Sequence, residues 1–160
     1  MRFPTTIVVG WLLAGPAALL CAAALAGCDD VEHYEVLDGP YRLVAENRSE
    51  DMAICYQTGP KTCVSRVDGT VYKVGFDKLW VVAARHPPNG PGVYASADRS
   101  KIDYFILDRR FDGPVEGPSA IRGPMPATDF ERLKKQENLP SFSRVLKIDW
   151  QTACKAPPCE

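Results

Sequence analysis

Apolar and polar positions divide this chain into three stretches of different period. From Phe3 to Cys28 there is no charge at all, and Ile7-Val8-Val9, Trp11-Leu12-Leu13 and Ala17-Ala18-Leu19-Leu20 follow one another with little interruption. From Tyr41 onward the apolar residues fall into short runs of strand length. These are Tyr41–Ala45, Met52–Tyr56, Cys63–Val67, Val71–Val74, Leu79–Ala84 and Ile102–Leu107. Cys63-Val64-Ser65-Arg66-Val67 alternates, the period of a half-buried strand, whereas Leu79-Trp80-Val81-Val82-Ala83-Ala84 is continuous and predicts a central strand with Ile102–Leu107 as its neighbour. Turn chemistry separates the runs: Glu46–Asp51, Gly59-Pro60, Asp68-Gly69 as a hairpin signal, and Asp77-Lys78. The pattern then changes to a helical one over Ala127–Asn138. Phe130 and Leu133 share a face there, Thr128 and Glu131 are spaced as a capping box, and Leu139-Pro140 stops the helix. A last alternating run, Arg144–Ile148, predicts a further strand. The expected fold is α+β: an antiparallel β-meander sheet of six to seven strands with one C-terminal helix packed on it, since such a sheet needs a cover over its apolar face.

The uncharged N-terminal stretch has the arrangement of a secretory signal peptide, with Arg2 ahead of an apolar core and small residues at its end. It is also long enough for a membrane-spanning helix. The boundary separates these readings. Leu25-Ala26-Gly27-Cys28 resembles the lipobox of bacterial lipoproteins, in which small residues admit the backbone to the signal protease and the cysteine thiol takes a diacylglycerol. The resemblance implies cleavage before Cys28 and acylation of the new amino terminus. Two or more acyl chains, at about 0.8 kcal/mol per buried methylene, then anchor the chain without a protein helix. Ala24-Leu25-Ala26 also fits an ordinary signal-cleavage site, which would release a soluble protein. Asp29 resembles the residue that retains enterobacterial lipoproteins in the inner membrane. The expected organisation is a signal peptide over 1–27, a polar tether over 28–39, a single β-rich domain over 40–150 and a cysteine-containing tail over 151–160.

Composition narrows the partners. With 19 Lys+Arg against 20 Asp+Glu the chain has no electrostatic footprint for nucleic acid. Of the 6 cysteines, Cys21 leaves with the signal and Cys28 takes lipid. The remaining four, Cys55, Cys63, Cys154 and Cys159, suit two disulfides in an oxidising compartment. Three connectivities exist, and the pairs close in sequence, Cys55–Cys63 and Cys154–Cys159, are the favoured ones. The competing reading is a zinc site, but spacings of C-x7-C and C-x4-C lack the usual C-x2-C knuckle. No metal and no cofactor is expected.

The search for chemistry returns little. His33 lies in the tether, and His86 ends a strand before Pro87-Pro88. No G-x-S-x-G, H-E-x-x-H, phosphate loop or dinucleotide fingerprint occurs. No catalytic residue is assigned, although an envelope hydrolase using His86 with an acidic partner is kept as an alternative. Two long loops, 87–100 and 111–126, are either proline-stiffened connections or functional segments. Trp80, Arg85, His86 and Tyr94 are residue types found at binding hot spots and are expected to form a patch at one sheet end, with core packing as the competing role of Trp80. The body, over 40–140, is also similar to a group of uncharacterised small envelope lipoproteins. Tyr104-Phe105-Ile106-Leu107-Asp108, Gly123-Pro124 and Phe130 carry that similarity, which brings no catalytic residues with it. The sequence thus leads to a non-enzymatic, lipid-anchored envelope protein of the periplasmic face that binds a protein partner, of immunity or inhibitor type. A structural or assembly lipoprotein is the alternative.

Overall fold

The computed structural model describes residues 33–46, 48–90, 96–115 and 120–148. They form two antiparallel sheets and one helix. The first sheet, in the order β1-β2-β3-β4, comprises β1 (His33–Asp38), β2 (Tyr41–Ala45), β3 (Ala53–Gly59) and β4 (Thr62–Val67). The second, in the order β8-β7-β6-β5-β9, comprises β5 (Val71–Phe76), β6 (Trp80–Arg85), β7 (Asp103–Asp108), β8 (Ile121–Met125) and β9 (Arg144–Val145). The α+β class holds, but the single meander does not. The first sheet is a meander; the second is a meander from β5 to β8, with β9 returning to lie beside β5, and the chain changes sheet between β4 and β5.

Asp68-Gly69 is where it changes. Val67 still pairs with Ile54 in the first sheet, while Val71 pairs with Arg85 in the second. The corner is held by backbone bonds from Thr70 N to Glu50 O and from Val71 N to Met52 O, both 2.9 Å. A hairpin there would fold β5 back onto β4. Those bonds instead carry β5 off the end of the first sheet.

The two sheets pack face to face. Leu43, Ala45 and Ile54 from one meet Val71, Val74, Val81, Ala83 and Leu107 from the other in one buried cluster. A second cluster on the far face of the second sheet joins Trp80, Val82 and Ile106 to Phe130 and Leu139. Phe130 belongs to α1 (Ala127–Glu137), so the layers run sheet, sheet, helix. This explains the continuous apolar run. Along β6, Val81 and Ala83 face the first sheet while Trp80 and Val82 face the helix, so every position needs an apolar side chain. β6 is indeed central, and β7 is its neighbour through Trp80↔Asp108 to Arg85↔Asp103.

Several boundaries differ from the sequence expectation. Residues 33–38, assigned to the tether, form β1, which pairs with β2 from His33↔Ala45 onward; Leu37 is buried and secures it. Residues 121–125, assigned to a loop, form β8. Its Gly123 and Pro124 disguised it, and both are tolerable because β8 is an edge strand. A Cβ at Gly123, where φ is 135°, would lie 2.6 Å from the Tyr104 carbonyl oxygen. The last strand is only Arg144–Val145, although Leu146 and Ile148 still pack against the main core. The capping box is absent: the N-cap is Pro126, without a side-chain bond, so Thr128 already lies inside the first turn. At the other end Asn138 takes the left-handed conformation (φ 53°), and Leu139 N bonds Lys134 O at 3.1 Å, a common helix stop.

Candidate functional site

The patch expected from Trp80, Arg85, His86 and Tyr94 is not a single patch. Trp80 and Arg85 occupy opposite ends of β6, roughly 17 Å apart at about 3.3 Å per residue, and their positions alternate between faces. Tyr94 lies outside the described residues, as do Cys28, Cys154 and Cys159.

At the Arg85 end, the guanidinium lies over the Phe105 ring at 4.9 Å and its Nε is 3.5 Å from an Asp103 carboxylate oxygen. The His86 ring stacks on Tyr72 with centroids 4.4 Å apart and planes 2° from parallel. His86 Nδ1 is 2.7 Å from the Lys101 carbonyl oxygen, so Nδ1 carries a proton and donates there. Burial, and then the nearby Tyr104, raise the Tyr72 phenol above its ordinary pKa. Thr70, whose hydroxyl donates to the His86 carbonyl oxygen, holds φ at 73°, a costly conformation for a β-branched residue. The corner between the sheets is therefore fastened to the end of β6. Tyr72 was invisible from sequence because its contact with His86 depends on the β5–β6 pairing. His33, read as part of the tether, sits on β1 with Nε2 3.6 Å from Glu35.

The Trp80 end is different. The indole is buried against the helix side of the sheet, at 7% exposure, as its apolar neighbours suggested. Two guanidinium groups cover what remains of it, Arg110 at 5.0 Å and Arg122 at 5.4 Å from a ring centroid. Each arginine is held by a carboxylate. Arg110 donates to both oxygens of Asp108 at 2.8 and 2.6 Å, and Arg122 to both of Glu137 at 2.6 and 2.7 Å. Both acids are drawn below the ordinary carboxylate range, chiefly by those bonds. Beside this bracket lie exposed apolar side chains. Phe111 is 61% exposed, with Arg110 over its ring at 5.6 Å, and Leu79, whose carbonyl accepts from Arg109 N, is 46% exposed. An indole under two arginines, one of which also lies over an exposed phenyl ring, has the composition of an interface hot spot. Arg122 and Phe111 come from a stretch read as a loop and Arg110 from the gap just before it, so only Trp80 was within reach of sequence reasoning.

A third constellation is closed. Arg66 and Asp112, with side chains 0% exposed, form an ion pair at 2.7 Å, and Tyr41 Oη donates to the second Asp112 oxygen at 2.9 Å. Gly113 N donates to Asp112 at 2.9 Å, and Arg66 Nη1 reaches the Val64 and Ser65 carbonyls at 3.2 Å. Burial first, and the Asp112 carboxylate second, push the Tyr41 phenol well above its ordinary pKa. With these bonds made, the group serves to fasten the β7–β8 loop to the first sheet. The turn chemistry of Phe111-Asp112-Gly113-Pro114 gave no sign that the Asp112 carboxylate is buried.

Cys55 and Cys63 form a disulfide across the β3–β4 hairpin, with Cα atoms 5.7 Å apart. Among the described residues no group of three or more potential metal ligands occurs, and no helix is long and apolar enough to cross a membrane. Compared with protein-family models, curated proteins and solved structures, the chain matches none.

Proposed function

We propose that this chain is a lipid-anchored, extracytoplasmic protein-binding module. Acyl chains on Cys28 hold it on the periplasmic face of a membrane, the inner one by the reading of Asp29, and the β domain engages a partner protein without catalysing a reaction. The Cys55–Cys63 disulfide supports the oxidising compartment. The single observation that carries binding is the Trp80 end of the second sheet, where exposed Phe111 lies against the half-exposed guanidinium of Arg110. A partner that fits presents an apolar side chain flanked by carboxylates, as an inhibited or neutralised protein does to an immunity-type binder.

The test is site-specific photo-crosslinking in cells that express the protein. A photoreactive residue at position 111 is expected to give a discrete adduct that mass spectrometry assigns to one protein, and Arg110→Ala is expected to diminish it. The same probe at Ile102, an exposed residue just ahead of β7, serves as the comparison. Equal, diffuse labelling from both positions would contradict binding at this end.

A further inference from the structure

We propose that the outer face of the first sheet rests on the membrane surface, an inference that depends on acylation of Cys28. In a sandwich the outward face of an antiparallel sheet is ordinarily polar. Here the strand registers place Tyr34, Val44 and Ala53 in one outward row, and Val36, Arg42 and Cys55 in the next. The residues between them, Leu43, Ala45 and Ile54, are the ones turned into the core. The two rows contain no acidic residue, and Arg42 is their one charge. Tyr34 and Val36 are 53% and 55% exposed. Arg42 Nε donates to Tyr34 Oη at 2.9 Å, which fixes a phenol and a guanidinium side by side on the surface.

The occupant follows from where the chain leads. Tyr34 and Val36 lie on β1, and Cys28 is five residues ahead of its first residue, His33. At the limit of about 3.6 Å per residue, the acylated sulfur's own backbone stays within roughly 18 Å of β1. The face is therefore held at a bilayer at high effective concentration. That matters because a complex formed from solution needs roughly 1,200 Å² of buried surface to be stable. A lipid surface brought by the tether needs no such area. Tyrosine is a side chain that settles at headgroup level, and Arg42 can meet lipid phosphates.

The experiment uses the acylated protein purified from the full-length chain, with intact mass verifying the lipid, in vesicles of phosphatidylethanolamine and phosphatidylglycerol carrying brominated acyl chains. Val36→Trp and Phe111→Trp each add one fluorophore to the unmodified background. The fluorescence added by Val36→Trp is expected to fall by roughly half relative to unbrominated vesicles, as an indole at headgroup level should, while that added by Phe111→Trp is unchanged. Acylated protein whose Val36→Trp signal is quenched no more than its Phe111→Trp signal overturns the seating and leaves the anchor standing. A mass without lipid at Cys28 overturns both.

Discussion

The two sheets solve different burial problems. The first sheet buries one face, and its strands alternate: along β2, Tyr41, Leu43 and Ala45 are buried while Arg42 and Val44 are half-buried. The second sheet is buried on both faces at β6 and β7, and from Trp80 to Ala84 every residue of β6 is buried. Tolerance to substitution divides along the same line. A substitution on the first sheet's outer face meets solvent or a ligand, whereas from Trp80 to Ala84 of β6 and from Phe105 to Asp108 of β7 every position is buried.

The seam between the sheets should be the most sensitive point. Asp112→Ala leaves the fully buried Arg66 charge without its partner and is expected to cost about 3–5 kcal/mol in denaturant unfolding. A loss under about 1 kcal/mol would mean that the seam does not depend on this pair. Next comes the two-sided layer. Ile106→Ala, at a position 0% exposed, is expected to cost about 3 kcal/mol. Val36→Ala on the outer face of the first sheet is expected to stay within about 0.5 kcal/mol. Similar costs at the two sites would erase the distinction between the sheets. Replacing Cys55 and Cys63 together with alanine opens a short covalent loop and is expected to cost about 2.5 kcal/mol on the chain-entropy account. That loss should be matched by reduction of the unaltered protein.

The smallest effect is electrostatic. Glu137, held below its ordinary pKa by Arg122, binds protons less readily in the folded chain than in the unfolded one. Its contribution is therefore present above the unfolded value, about 4.3, and is lost as pH falls through the folded one. The pair is partly exposed, so the contribution is under about 1 kcal/mol. Comparing urea midpoints at neutral and acid pH, Glu137→Gln should lie below the unaltered protein at neutral pH and converge with it in acid. A gap that widens on acidification would reverse the sign.

How much of this was legible in the sequence depended on whether a local pattern had a single tertiary meaning. The unbroken run at β6 could only be a strand buried on both faces or a buried helix, and its length decided for the strand. The Cys55–Cys63 pairing follows from a turn, Gly59-Pro60, that brings two adjacent strands together. Asp68-Gly69 had two meanings, a hairpin or a corner, and the choice lay in bonds from Thr70 and Val71 to distant carbonyls. β1 hid because "HYEVLD" carries one buried residue, Leu37, among polar and exposed ones. β8 hid because an edge strand can hold the glycine and proline that normally argue against strand. Of the residues proposed to bind a partner, Trp80 was named, but its company was not. Arg110 and Arg122 reach it from a turn and an edge strand, and no spacing in the chain records that convergence.

As proposed, a folded, disulfide-bonded β domain is held at a membrane by lipid on one sulfur. Intact mass spectrometry of the protein extracted from membranes under non-reducing conditions tests it most directly. The expected result is a chain that begins at Cys28 and carries the mass of a diacylglyceryl group with or without a further acyl chain. A chain that retains residues 1–27, or one with an unmodified thiol at position 28, would contradict it.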